Sequence, residues 1–467
     1  MKRNVLRTTA IILGIVLVLA SCGGKSGTAG KGETVSLQKY TDFKDKNGNP
    51  AEVVFWHSYG GATGKAFETI IGEYNETEGA KKGIRVIPVF QGYQGTDKVI
   101  LAYQTKDIQN APDINVGLTS TLPSMKDLSW SVSLDSLLSD KNSTINKNTF
   151  YPALQRACTY EGEIWGIPFA NSIPVLYYNI DTLKSAGFDK PPATMDELIQ
   201  YVEKLTVKDA SGKVTRYGLN MQVKRYQLVE FVVSQNSKSF FGDNEGGRSA
   251  PMTKITAGED GTLKKFLEKM DRLLATGGYK FIEDKPNEEF AQGLSAMVIM
   301  SSSRMGTIDG LVNNKSGVYM TSFLPRVNPE DNNGAAVGGS CLSLFNRGDP
   351  VRLAAAWDVI QYCVRPESQF IFSTASGYIP VNVDTEKLPQ MIAYYNEKPQ
   401  YKVALDQMKA ANPLSQEPLD LTYNDINKII TNVMVEFCER KITVDEAVKK
   451  IVDQCNASLD EYHAANG

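Results

Sequence analysis

The sequence is poor in the side chains that carry most acid–base and metal chemistry. Of 467 residues two are histidine and six cysteine. That leaves little room for histidine-ligated metal sites or histidine proton transfer, and nothing in the chain calls for a cofactor. No charge of one sign dominates. There are 50 Lys+Arg against 53 Asp+Glu, a net charge of −3, and a pI of about 5.7, which argues against a nucleic-acid partner. Long apolar runs are scarce too. The one candidate, Ala10 to Ala20, falls short of the roughly 20 residues that a membrane span needs. Catalytic signatures of the GxSxG, HExxH and GxGxxG types are missing. Tyr59–Ala66 (YGGATGKA) approaches a phosphate-binding P-loop, but Tyr59 stands where its first glycine belongs and Ala66 where its magnesium-holding hydroxyl belongs.

What is present is ordinary globular material, 42% hydrophobic and 22% charged. Such a composition excludes disordered, collagen-like and coiled-coil chains. Single cores stop growing near roughly 250 residues, so a chain of this length is expected to form two lobes.

The N-terminus reads as an export signal. Lys2, Arg3 and Arg7 precede the apolar run, which ends in Leu19-Ala20-Ser21-Cys22. This ending resembles the lipobox of bacterial lipoproteins, which implies cleavage after residue 21 and lipidation of Cys22. The alternative is a plain secretory signal that happens to contain a cysteine. Gly23 to Gly32 is rich in Gly, Ser, Lys and Thr, as a flexible tether would be. The other cysteines, Cys158, Cys341, Cys363, Cys438 and Cys455, are scattered. They read as isolated buried thiols, with Cys438 and Cys455 on successive predicted helices as the pair to check for a disulfide.

From Ala51 the chain alternates strand-like and helix-like segments. AEVVFW (51–56) is a strand. Phe67, Ile70, Ile71 and Tyr74 then recur at helical spacing. IRVIPVF (84–90) is a strand whose Pro88 suggests an edge. A helix follows over 97–106 and a strand over 113–116. This βαβα order implies a parallel sheet with helices on both faces. EIWGIPF (163–169) and IPVLYYN (173–179) are extended, and Thr194 with Glu197 has capping-box spacing. The middle, 226–274, is helix-rich. Strands are expected over 296–300, 317–323 and 336–345, and the last hundred or so residues are mostly amphipathic helix.

Six ordered segments carry a resemblance: Phe55-Trp56-His57-Ser58; Asn110-Ala111-Pro112-Asp113-Ile114; Gly166-Ile167-Pro168-Phe169 with Pro174-Val175-Leu176-Tyr177-Tyr178-Asn179; Phe290 to Met297; Gly338-Gly339-Ser340; and Ser376-Gly377-Tyr378-Ile379-Pro380. Together they resemble the family 1 extracellular solute-binding proteins of ABC importers, most nearly the glycerol-3-phosphate-binding branch. The resemblance implies an α/β fold of the two-lobe periplasmic-binding-protein type (type II-like). Residues 51–165 with 339–375 would form lobe 1, and 166–338 with 376–467 lobe 2. The crossings would fall near Trp165–Ile167, Val337–Gly339 and Gly377–Pro380. It also implies a monomer that closes on a small-molecule solute and presents it to a membrane permease, which works with an ATPase subunit.

Candidate ligand contacts follow. Trp56, His57, Ser58 and Tyr59 lie after the first strand, where loops line the crevice of parallel sheets; Trp56 reads equally well as core. Tyr93, Ser172, Ser302 (one of three consecutive serines), Gly339 and Tyr378 match family positions, and each has a purely structural alternative. The phosphate-binding arginine of the glycerol-3-phosphate branch has no counterpart in Pro418-Leu419-Asp420-Leu421-Thr422. The branch's acidic cleft residue is replaced by Leu118-Thr119-Ser120. Lys224 and Arg225 are either a substitute cationic contact or a solvated charge pair. A neutral sugar, oligosaccharide or polyol is therefore expected, with glycerol 3-phosphate or a glycerophosphodiester as the alternative. The rival classes are a surface-anchored glycosidase using two carboxylates and a ligand-free scaffolding lipoprotein.

Overall fold

The computed structural model describes residues 40–92, 95–236, 240–281, 285–313 and 317–466. The export signal, Cys22, the tether and Tyr93 lie outside the described residues. Among the described residues no helix is long and apolar enough to cross a membrane.

Strand Ala51–His57 alternates its faces. Val53 and Phe55 are fully buried on one side, against helix Gly61–Glu76, whose Phe67, Ile70, Ile71 and Tyr74 form its buried stripe. The Phe55 and Phe67 rings meet edge-on at 5.0 Å. Trp56 points to the other face, into a cluster with Val99, Met125, Leu128 and Phe345. The strand runs parallel to Ile84–Phe90, a sheet edge as its proline suggested, and to Ile114–Leu118 on its other side. The sheet is completed by Gly338–Leu344 and Ile167–Ser172. The purely parallel expectation fails at Gly338–Leu344, which is antiparallel to both its neighbours. This strand enters the sheet from the end where the parallel strands finish, so it must run the opposite way.

A second, six-stranded sheet has the order Tyr279–Phe281, Val214–Met221, Ser295–Ser301, Pro174–Asn179, Tyr319–Phe323, with Val207–Lys208 against Val214–Met221. It too is mixed: Ser295–Ser301 is parallel to Val214–Met221 and antiparallel to Pro174–Asn179. Helix Met195–Leu205 starts as its spacing predicts. The Thr194 hydroxyl accepts from the Glu197 amide at 3.2 Å, and the Glu197 carboxylate accepts from the Ala193 amide at 2.6 Å. The chain ends in a helical hairpin, Tyr423–Cys438 and Val444–Asn466, which buries Ile426, Ile430, Val433 and Phe437 with Ala447, Ile451, Cys455 and Leu459.

Asp113, in the Asn-Ala-Pro-Asp-Ile segment, has a structural task. It is 2% exposed. Its carboxylate accepts from the Val54 amide at 2.7 Å and from Arg352 Nε and Nη2, both at 2.6 Å. One buried carboxylate thereby ties the first strand to helix Pro350–Cys363, through the charge-assisted, two-pronged geometry that suits arginine.

Candidate ligand-binding cleft

The two sheets are joined where chain segments pass between them. Ile167–Ser172 belongs to the first sheet and Pro174–Asn179 to the second, so the first changeover is at Ile173, later than the Trp165–Ile167 expected. The whole of 167–177 is buried, and no polar turn marks the change. The second passage is at Val337, which bridges to Gln416 before strand Gly338–Leu344 begins. The segment Gly377–Pro380, where the third crossing was expected, lies against the first, with the Ile379 amide donating to the Asn171 carbonyl at 2.8 Å. Asn171 stitches two passages together, since its side-chain amide also donates to the Gly338 carbonyl at 3.3 Å.

Over these passages lies a cleft in two chambers that share a wall of Ser58, Leu118 and Ser340. Ser58 follows the first strand and Leu118 ends the third. They stand at the carboxyl ends of parallel strands, where crevices in such sheets form. The larger chamber, about 310 Å³, is closed by Thr96, Asp97, Thr121, Ser124, the 420–425 segment and Tyr462. The smaller, about 200 Å³, is lined by Tyr59 to Thr63, Ser303, Arg304, Thr307, Gly339, Ser376 and Tyr378. Helix Gly61–Glu76 begins there, and no side chain caps it.

The structure brings together Ser58, Tyr59, Gly339 and Tyr378, and it does not bring in the other expected contacts. Trp56 is core on the far face of the first sheet and borders a separate open groove with Val54 and Val89. His57 is buried beneath the cleft, its ring 4.6 Å from Phe67 and its Nδ1 accepting from the Tyr59 amide at 3.3 Å. Burial holds its pKa below the ordinary histidine value, against a smaller opposing pull from Glu68. Ser172 is buried at the passage, opposite Gly338. Ser302 is fully buried, its amide donating to the Ile173 carbonyl at 2.9 Å, and it is Ser303 that reaches the smaller chamber.

Sequence reasoning missed Asp97, Arg304, Thr307, Asp425 and Tyr462. The first was open to discovery, because it sits where the chain turns from the second strand into a helix. Tyr462 comes from the last helix and carries no local signal.

Arg225 is not a solvated charge. It is 1% exposed, and its Nε donates to Asp420 at 2.9 Å while its Nη1 reaches Glu417 at 3.4 Å. Its ring neighbour is Tyr423, 4.8 Å from the guanidinium. Arg248, also buried, donates to the Glu417 carbonyl at 2.6 Å. Asp420 therefore does not project a bare negative charge into the larger chamber, and Arg225 has no charge to spare for a ligand. Glu230 accepts from the Ala336 amide at 2.9 Å at the second passage. Burial, reinforced by Glu417, pushes its carboxyl well above the usual range. Among the described residues Arg304 forms no ion pair.

The chain matches the model of the family described as bacterial extracellular solute-binding protein over residues 69–402. Among curated proteins, the sn-glycerol-3-phosphate-binding periplasmic protein UgpB of Salmonella typhimurium is 26% identical over 435 residues, covering 89% of this chain and 94% of that protein. Among solved structures, UgpB from Mycobacterium tuberculosis, in complex with glycerophosphocholine, superposes with a TM-score of 0.70 at 18% identity, covering 89% of this chain and 99% of that one. The sugar-binding protein MalE from Xanthomonas citri gives 0.72 at 18% identity, covering 89% and 98%. These structural likenesses bear out the two-lobe α/β fold.

Proposed function

Because the chain belongs to the bacterial extracellular solute-binding proteins, the binding components of ABC importers, we propose that its cleft captures a neutral sugar, oligosaccharide or polyol and hands it unchanged to a membrane permease. One observation carries the choice of ligand. The larger chamber presents the carboxylates of Asp97 and Asp425, neither ion-paired among the described residues, beside the hydroxyls of Thr121, Ser124 and Ser340 and the rings of Tyr423 and Tyr462. Carboxylates and hydroxyls accept and donate to sugar hydroxyls, and a tyrosine adds a flat apolar face with a polar tip. A dianion in that chamber would meet two carboxylates and, among the described residues that line it, no free cation.

Lobe 1 is built on the first sheet and lobe 2 on the second, with the chain changing lobes at Ile173, at Val337 and over Gly377–Pro380. Ligand touching both lobes draws them together, so binding energy shifts an open–closed equilibrium. The protein acts as a monomer, is anchored by a lipid on Cys22 after removal of residues 1–21, and performs no chemistry on its ligand. A second reading, a glycerophosphodiester, draws on Arg304 with Ser303 and Thr307 in the smaller chamber. Cation and hydroxyls there suit a phosphate.

Calorimetry on the purified protein tests the choice. Heat with sugars or polyols and none with glycerol 3-phosphate is the expected result. Tight glycerol 3-phosphate binding with no sugar response would reject it. Glycerophosphodiester binding lost in Arg304→Ala would establish the second reading, and release of monosaccharide from a bound oligosaccharide over hours would mark an enzyme.

A further inference from the structure

Cys158 and Cys341 are far apart in sequence and adjacent in space. Cys158 ends helix Pro152–Ala157, in the segment that leads toward the first passage. Cys341 lies in strand Gly338–Leu344, just after the second. Both are fully buried, in a small cluster with Leu122 that Trp165 packs against.

The surroundings hold the two sulfurs where they are. The Trp165 amide donates to the Cys158 carbonyl at 3.1 Å. Cys341 pairs with Gly117 on one side and Pro168 on the other, next to a bulge at Ser340. Gly166 is part of this arrangement: a Cβ there would stand 2.8 Å from the Cys341 Cβ and 2.5 Å from its sulfur. The missing side chain leaves the space that the Cys341 sulfur occupies. All five cysteines among the described residues are free thiols in the structure, and Cys438 and Cys455, the pair to check on successive predicted helices, are buried in the main core. Neither they nor Cys363 has another thiol among the described groups that act on it.

We infer that Cys158 and Cys341 form a disulfide when the chain folds in contact with an oxidising disulfide, whether a protein thiol oxidase or oxidised glutathione. Each thiol gives up its proton, the two electrons pass to the oxidant's disulfide, which leaves as two thiols, and one S–S bond forms. The bond joins the approach to one passage to the exit from another, both on the side of the first sheet. Ile173, Gly338 and Gly339 lie within the long loop that it closes, but both ends of the link stand on the side of the first sheet, so bending between the sheets is retained. Burial pushes the Cys158 thiol upward, which makes thiolate scarce in the folded protein. The bond is therefore made during folding and, once made, resists reductant. Closing so long a loop restricts the unfolded chain and stabilises the native one. This inference goes beyond the ligand reading and does not depend on it.

The test uses the full chain, unfolded with reductant and refolded over a series of oxidised-to-reduced glutathione ratios. Free thiols are then alkylated in urea and the protein digested without reduction. The expected product is one linked peptide pair containing Cys158 and Cys341, abolished by dithiothreitol, with Cys363, Cys438 and Cys455 alkylated. The oxidised protein should melt several degrees above the reduced one, and a Cys158→Ala/Cys341→Ala double variant should melt identically with and without reductant. Alkylation of both Cys158 and Cys341 at the most oxidising ratio, or linkage of either to a different cysteine, overturns the inference. Should the double variant fail to fold, peptide mapping of the unaltered chain decides by itself. Ligand calorimetry on the oxidised and reduced forms reads the transport proposal separately.

Discussion

Replacing Gly339 by alanine tests the packing of the second passage most directly. Gly339 has φ +115°, a region that L side chains avoid. A Cβ there would lie 2.9 Å from the Asn171 Cα and 3.1 Å from the Ala170 carbonyl carbon, and closer still to the Ala170 oxygen. All three atoms are backbone of the neighbouring strand, so none can swing aside. Backbone strain of about 1–3 kcal/mol and overpacking of about 1–3 kcal/mol together give about 2–6 kcal/mol. Against a typical total of about 5–15 kcal/mol, that is a severe loss. Chemical denaturation followed by tryptophan fluorescence measures it. Gly72→Ala is the control. It lies inside helix Gly61–Glu76 with nothing within 4 Å of the new methyl, and it should stabilise by about 0.5–1 kcal/mol. The two substitutions add the same group and should move stability in opposite directions. Because Gly339 also lines the smaller chamber, any Gly339→Ala protein that folds should bind ligand more weakly. A Gly339→Ala midpoint equal to the unaltered protein's would refute the account of the passage.

Three further outcomes follow from the buried polar groups. Asp420→Ala strands the buried Arg225 guanidinium and should cost about 3–5 kcal/mol, much of it recovered by replacing both residues with apolar ones; denaturation curves of the single and double variants decide. Glu230 keeps its proton in the folded chain well above the 4.5 at which it ionises unfolded, so its contribution is complete below pH 4.5 and lost as pH rises toward the folded value. The melting temperature of the unaltered protein should therefore fall relative to Glu230→Gln between pH 5 and 8, and parallel pH profiles would contradict the assignment. Ser302→Ala removes the hydroxyl that accepts from the Ile173 amide at 3.5 Å and should lower stability by about 1 kcal/mol with little change in affinity, whereas Ser303→Ala should weaken ligand binding with stability unchanged, as paired melting and calorimetry would show.

The elements were largely legible because their signals are local. The apolar run 51–56, the 3–4 spacing of Phe67, Ile70, Ile71 and Tyr74, and the Thr194–Glu197 cap each involve residues a few positions apart, and each appears as expected. The two-lobe class was legible in the order of the six segments.

What the chain could not announce is how distant segments meet. Trp56 lies within the first strand and Ser58 just past its end, and which of them meets the cleft depends on what packs against the sheet. The change of sheets at Ile173 left no mark because the backbone continues extended and buried through it. Arg225 reads as a surface charge until Asp420 and Glu417, nearly two hundred residues later, are brought against it. Ser302 and Ser303 are equivalent on paper; the Ile173 carbonyl claims one and leaves the other to the cavity. Likewise Cys158 finds Cys341, while the nearer pair on the last helices does not meet. Hydrogen bonding and side-chain periodicity along the chain are short-ranged and settle the helices and strands. Cleft, charge pairing and thiol contact arise only when long-range packing juxtaposes those elements, and that packing is a property of the whole fold.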